Sequence, residues 1–214
     1  MPATALPTLP ITFPVFLADE PASVTVDFAD NADVVSATRW RVPRELENNP
    51  VMLGRAEDAR EFAVLAAKRW RHYRDIGSVA HSQTALQDMI ATDPEGEFCF
   101  HLKATATWFS TSLGGAMIRR TWCHHLMIDF LFVHPAICGR VADVKGVGIE
   151  LLRAVCIVAR SLGCKRVWGE ATRDSAPFYR RQLDRLVEDQ FAMEKREVAA
   201  FARALESKRQ STCP

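Results

Sequence analysis

The sequence predicts an α+β or α/β chain built on a mixed sheet, and three observations predict it. Apolar residues recur at helical spacing over 56–73 and again over 149–162. Between them, residues 97–106 alternate with Phe98, Phe100 and Leu102 on one face, which is strand periodicity. The run Leu-Met-Ile-Asp-Phe-Leu-Phe-Val at 126–133 is apolar on both faces except at Asp129, as a central buried strand is. The order of elements (two helices, three strands, a glycine-opened helix, a strand, a helix) belongs to layered α/β architectures.

Each element has its own signal. Residues 1–50 are punctuated by Pro2, Pro7, Pro10 and Pro14, with short apolar runs at 11–17, 24–28 and 34–41 that each suit a strand. Pro43 and Pro50 then break the chain, so 1–50 is expected to be an extension adding edge strands to a main domain at 51–214. In the helix over 56–73, Ala59, Phe62, Ala63, Ala66, Trp70 and Tyr73 form one stripe, and Gly77 ends the region. A shorter helix runs over 82–91, followed by the turn signal Asp93-Pro94-Glu95-Gly96. Strands are expected at 97–106, 113–122, 126–133 and 166–171. Residues 136–144 form a loop, after which Gly146 and Gly148 open a helix that Gly163 terminates. Asp174 or Ser175 caps a further helix with Pro177 in its first turn. Residues 194–208 form an amphipathic helix through Val198, Phe201, Ala202 and Leu205.

Composition bounds the function. The length of 214 residues suits one domain of ordinary size, with or without an extension. Lys plus Arg number 27 against 26 Asp plus Glu, so nothing draws the chain as a whole to nucleic acid or an anionic membrane. Arg119-Arg120 is one candidate basic patch, set against a solvated strand end. The six cysteines form no CxxC pair and several sit in apolar runs, which fits a reducing compartment. The N-terminus has no signal-peptide pattern and no apolar run spans a bilayer, so a cytoplasmic protein is expected.

The segment Lys145-Gly146-Val147-Gly148-Ile149-Glu150 lies where strand passes to helix. The first turn of a helix carries unpaired N–H groups and partial positive charge, and glycines let an anion approach the backbone. A pyrophosphate cradle results, with Lys145 as a mobile cation at its rim; a tight turn for helix–strand packing is the plainer alternative. No Lys-Ser/Thr follows the second glycine and no third glycine appears, so neither a P-loop nor a dinucleotide fingerprint is present.

With its surroundings the segment resembles the GNAT acyltransferase family: Phe-Leu-Phe-Val-His-Pro at 130–135, Lys-Gly-Val-Gly-Ile-Glu-Leu-Leu at 145–152, Trp-Gly-Glu-Ala-Thr at 168–172 and Ser-Ala-Pro-Phe-Tyr at 175–179. The family's acetyl-CoA loop, Gln/Arg-x-x-Gly-x-Gly/Ala, falls with Lys145 first, Gly148 on the glycine and Glu150 last. Residues 191–195 look like the family's closing strand. Lys145 keeps the charge of the family residue but not the guanidinium fork, and a carboxylate at Glu150 must point away from a diphosphate. The loop 135–145 is longer than usual, and the Gly-Phe that commonly follows the Tyr helix is missing.

The resemblance implies a mixed, mostly antiparallel sheet with helices on both faces and a V-shaped split between two parallel strands, 126–133 and 166–171. It implies acetyl-CoA as acyl donor, an amine as acceptor, no metal and no covalent intermediate. The pantetheine arm would pair with the backbone of Leu131, Phe132 and Val133, and the amides of Gly146, Val147, Gly148, Ile149 and Glu150 would hold the diphosphate. Ser175 would either bond the arm or cap its helix.

Acyl transfer needs a base for the amine, a donor for the thioester carbonyl and an acid for the leaving thiolate. Tyr179 matches the family's acid, with a packed core tyrosine as its alternative. Asp129 is the candidate base, because burial raises a carboxyl's affinity for a proton; a structural hydrogen-bond partner is the alternative. Glu170 is the second candidate base, and His124-His125 form a solvated turn, with metal binding or a proton relay as the alternatives. A non-catalytic CoA-binding protein of the same fold is the competing function, and a nucleotide-phosphate binder a weaker one. The acceptor itself has no motif, and pairing of the extension's strands between two subunits stays open.

Overall fold

A computed structural model describes residues 8–210, with side chains through Arg203. Pro2, Pro7, Cys213 and the side chain of Leu205 lie outside the described residues. The chain begins with a hairpin, β1 (Ile11–Leu17) and β2 (Glu20–Phe28), then α1 (Asn31–Ala37), a 3-10 turn at Arg44–Leu46 and the long α2 (Pro50–Asp75). Next come β3 (Val79–Ala80), α3 (Gln83–Thr92), β4 (Phe98–Thr105), β5 (Gly114–Arg120) and β6 (His125–Val133). The last third holds α4 (Pro135–Cys138), β7 (Val144–Lys145), α5 (Val147–Ser161), β8 (Arg166–Glu170), α6 (Ala176–Leu183), β9 (Gln190–Glu194) and α7 (Lys195–Gln210).

All strands join one sheet in the order β7-β1-β2-β4-β5-β6-β8-β9, with β3 beside β4. Pairing is antiparallel except for β6–β8 and β3–β4. The mixed, mostly antiparallel sheet flanked by helices is thus as expected. The hairpin of residues 11–28 lies within the sheet's path, between β7 and β4, and sends Phe13, Val15, Val24 and Val26 into the main core.

Residues 34–41, expected as a strand, are instead the end of a helix, 34–37, followed by a turn. The side chain of Asp30 accepts from the Asp33 amide and that of Asp33 accepts from the Asp30 amide, a capping box that satisfies two orphan donors and starts α1. The helix expected at 56–73 begins earlier, because Asn49 caps it through the Met52 amide and Pro50 occupies the first turn.

The two faces of the sheet are covered differently. On one, α5 lays down Leu151, Leu152, Val155 and Val158 against Ile118, Leu126 and Val167, with α7 outside it. On the other, α2 brings Ala63, Ala66, Trp70 and Tyr73 onto Cys99, Met117 and Phe132, with Trp40 closing the layer. Gly115 makes room on that second face: a Cβ there would meet the His101 ring at 2.6 Å.

Arg119 and Arg120 form neither a basic patch nor a solvated strand end. Arg120 is fully buried and donates to the carbonyls of Gly96 and Pro94. Arg119 is drawn into ion pairs with Asp129 and Glu97. No helix among the described residues is long and apolar enough to cross a membrane.

Candidate functional site

The site begins where two strands part. β6 and β8 pair in parallel from His125–Arg166 to Ile128–Gly169 and no further. Past that point β6 keeps β5 on one side, with Leu131 opposite Ala116 and Val133 opposite Gly114, and has no register partner on β8. The expected V-shaped split is therefore present. A bulge marks its apex: Ile128 pairs with Ile118 and Phe130 with Met117, leaving Asp129 without a partner. The bulge resets the alternation, so Leu126 and Ile128 face α5 while Phe132 faces α2.

A cavity of about 630 Å³ fills the split. Leu131, Phe132 and Val133 form one wall, the start of α5 the floor, and Ser175, Phe178 and Tyr179 the wall opposite. The N-terminal turns of α2 (Arg55, Asp58, Ala59 and Phe62) lie across it.

Gly146 caps α5 with φ 106°, a left-handed conformation that a side chain would strain, and makes no side-chain cap bond. The Glu150 amide donates to the Gly146 carbonyl at 3.1 Å, the first helical bond. The amides of Val147, Gly148 and Ile149 therefore precede the ladder and remain available to a ligand, as helix geometry dictates. Gly148 faces the Phe178 ring, which a Cβ would meet at 3.6 Å, so anything longer enters the cavity.

Two expected cradle residues are placed elsewhere. The Glu150 amide is spent inside the helix, and its buried carboxylate pairs with Arg153 instead of facing the cavity. Lys145 is not a free cation at the rim: β7 pairs with β1, and the ammonium meets Asp19 at 2.6 Å and Asp143 at 3.6 Å. The cationic side chains lining the cavity are Arg55, Arg140 and Arg181, which the sequence did not single out.

Tyr179 lines the cavity and is otherwise enclosed at 4% exposure. Its ring stacks on Phe191 at 3.9 Å and meets Phe178 edge-on at 5.0 Å. Burial pushes its phenol well above the usual tyrosine range, so it holds its proton at any physiological pH. Ser175 also lines the cavity and starts α6, yet its hydroxyl accepts from the Thr172 amide at 2.8 Å rather than from the helix.

The two carboxylates expected as bases stand apart from the cavity lining. Asp129 is closed off, at 1% side-chain exposure, with its oxygens taken by Arg119 and Arg69. Glu170 is exposed at the end of β8, opposite Gln190. His124 and His125 form the turn into β6, where burial and neighbouring cations lower both imidazoles. The carboxylates that do line the cavity are Asp58 on α2 and Asp174 before α6. Asp58 is exposed, and what burial it has, then the charge of Asp174, raises its carboxyl above its ordinary value.

A model of the Acetyltransferase (GNAT) family matches residues 65–184, more than half of the chain. No curated protein matches it. Among solved structures, the GNAT domain of S. lividans PAT is similar at 18% identity and TM-score 0.49, covering 86% of this chain and 96% of that one. The PaiA N-acetyltransferase of Thermoplasma acidophilum, in complex with coenzyme A, aligns at 10% identity and TM-score 0.47, covering 81% and 99%. A nourseothricin acetyltransferase aligns at 19% identity and TM-score 0.37, over 48% of this chain and 66% of its own.

Proposed function

The chain belongs to the GNAT acetyltransferase family, and from that premise we propose that it moves an acyl group, acetyl above all, from coenzyme A directly to an amine. One observation carries this: three unpaired helix amides, an unpaired strand edge and a protonated tyrosine open into one cavity. A CoA thioester has a group for each. Its diphosphate suits the amides of Val147, Gly148 and Ile149, with Arg140 and Arg181 adding charge. Its pantetheine amides suit the free edge of Leu131–Val133, as an added strand would.

The chemistry follows from what is left. The amine nitrogen attacks the thioester carbon, and a main-chain N–H at the apex of the split polarises the carbonyl oxygen. The carbon–sulfur bond breaks, and Tyr179 gives its proton to the departing thiolate and recovers one from solvent. The amine's proton goes to Asp58, the lining carboxylate whose proton affinity is raised. Asp129 has no free oxygen for that proton, and Glu170 lies outside the cavity.

The competing idea, CoA binding without catalysis, drew on Glu150 and on the Gly-Phe missing after the Tyr helix. That carboxylate is paired with Arg153 and leaves the cradle undisturbed. Tyr179 and a carboxylate in the same cavity favour catalysis.

Two experiments test this. Gly148→Val projects a branched side chain at Phe178 and into the diphosphate's place. CoA affinity measured by titration calorimetry should fall at least about tenfold, or 1.4 kcal/mol, with the fold retained; unchanged affinity removes the cradle. Tyr179→Phe and Asp58→Asn should each lower kcat with acetyl-CoA about a hundredfold or more, with CoA affinity nearly constant. Equal turnover in either variant removes that residue from the mechanism.

A further inference from the structure

Resting on the acyl-transfer reading, we propose that Asp129, Arg119 and Arg69 form a clamp that fixes the β6 bulge and so positions the main-chain donor at the apex of the split.

The bulge lies where β6 parts from β8 while keeping β5. Asp129 has no register partner on β5, and β8 has already parted one residue earlier. Its side chain is 1% exposed while the residue as a whole is only half-buried, so what is accessible is main chain. A bulged residue has no register partner to hold its dihedrals, and a carbonyl polarised from it needs the donor fixed.

The side chain supplies what the ladder does not. From β5, Arg119 Nε donates to Asp129 Oδ2 at 2.7 Å and Oδ1 at 3.0 Å, and its Nη2 donates to Oδ1 at 2.9 Å. From α2, Arg69 Nη1 meets Oδ1 at 2.9 Å. The bulge is thus tied to the neighbouring strand and to the covering helix at once. Planar, many-pronged contacts of this kind set direction as well as energy.

The clamp is itself braced. Arg119 Nη1 reaches Glu97 at 3.3 Å, and Glu97 accepts from the Tyr73 hydroxyl, one turn of α2 beyond Arg69. Two carboxylates face two guanidiniums, so the group is electrically balanced, with Asp129 enclosed and Arg69 and Glu97 at its partly exposed edge. Arg69 also lies 5.8 Å from the centre of the Phe130 ring, the residue after the bulge. Phe130 in turn meets Phe62, which lines the cavity. A shift of Arg69 therefore reaches the apex and the cavity wall together.

The test uses the full chain, acetyl-CoA and an amine found by a thiol-release screen. Arg69, partly exposed, is the mildest place to open the clamp. Arg69→Ala and Asp129→Asn should each cut kcat about tenfold to a hundredfold, the range for a donor displaced by a fraction of an ångström. KM for acetyl-CoA and the affinity for CoA should stay within about threefold. The pH dependence of kcat should keep its shape, and Arg69→Lys should recover much of the rate. Wild-type kcat in both variants overturns the clamp. So does loss of the acid limb of the pH profile in Asp129→Asn, which would make Asp129 the base. A fall in CoA affinity matching the fall in kcat overturns it as well, since the role would then be structural. If Asp129→Asn does not fold, Arg69→Ala and Arg69→Lys decide alone. Wild-type protein that binds CoA but acylates no amine overturns the acyl-transfer reading, and the clamp with it, and is told apart by needing no variant.

Discussion

The two faces of the sheet solve the same packing problem with different chemistry. Against α5, the core is aliphatic and close to complete: Leu151, Leu152, Val155 and Val158 are all inaccessible. Against α2, it is aromatic and polar, with Trp40 edge-on to Phe132, Trp70 edge-on to His101, and Tyr73 buried in the same cluster. Here the Nε1 atoms of Trp40 and Trp70 are buried without a protein partner among the described residues. Such atoms forgo the bonds that buried polar groups normally make, which costs this face stability. The α5 face has one demand beyond packing, a helix start held firmly at the cavity floor. The α2 face carries the clamp, the Asp58 carboxylate and the wall that an acceptor must pass.

The difference can be broken most strongly from the aliphatic side. Leu152→Ala removes a fully buried side chain from a wall with no room to collapse. It should cost about 2–5 kcal/mol in denaturant unfolding, the range for cavity-forming changes. A loss below about 1 kcal/mol would mean that the α5 face is looser than its burial indicates.

The aromatic face should respond to acid instead. Burial lowers His101 to about 3 and His134 to about 4. Both are therefore neutral when folded, whereas in the unfolded chain each takes up a proton near its ordinary value of about 6.5. Below that pH the unfolded state binds more protons, so stability is complete above about pH 6.5 and falls as the pH drops toward 4 and then 3. Each unit crossed costs about 1.4 kcal/mol per imidazole. His101→Phe should flatten about half of this slope between pH 6 and 4, the window in which both imidazoles act. An unchanged slope would show that the His101 imidazole reaches water in the native protein.

What was legible divides along the same line. The stripe on α5, the apolar run of β6 and the glycines before α5 are local patterns, and local patterns survive being read one residue at a time. The capping box at Asp30 and Asp33 was equally local, but the short apolar run at 34–41 suggested a strand first. Lys145 stands next to Gly146 in sequence and was placed in the cradle. Pairing of β7 with β1 brings Asp19 from 126 residues away and turns the ammonium aside. Asp129 was conspicuous as a charge among apolar residues, yet its meaning depends on Arg69 and Arg119 from two other elements. Asp58 sits on the hydrophilic side of a helix read only for its stripe, and nothing short of the packing of α2 over the split draws it to the cavity.

The smallest effect is expected at Trp70, and it sharpens the comparison most. Trp70 and Tyr73 lie one turn apart on α2, and both are buried. The Tyr73 hydroxyl donates to Glu97, whereas the Trp70 indole N–H has no protein acceptor. Replacing each by Phe keeps an aromatic ring and removes the polar tip. Tyr73→Phe takes away a bond to a charged group and should cost about 1.5–3 kcal/mol. Trp70→Phe loses some packing against His81 and His101 but also removes a buried donor that nothing satisfies, two terms of opposite sign. Its net cost should stay near or below about 1 kcal/mol, far under the 3–5 kcal/mol of a truncation to Ala. A larger loss in Trp70→Phe than in Tyr73→Phe would mean that the indole N–H is bonded in solution, and that the α2 face is satisfied after all.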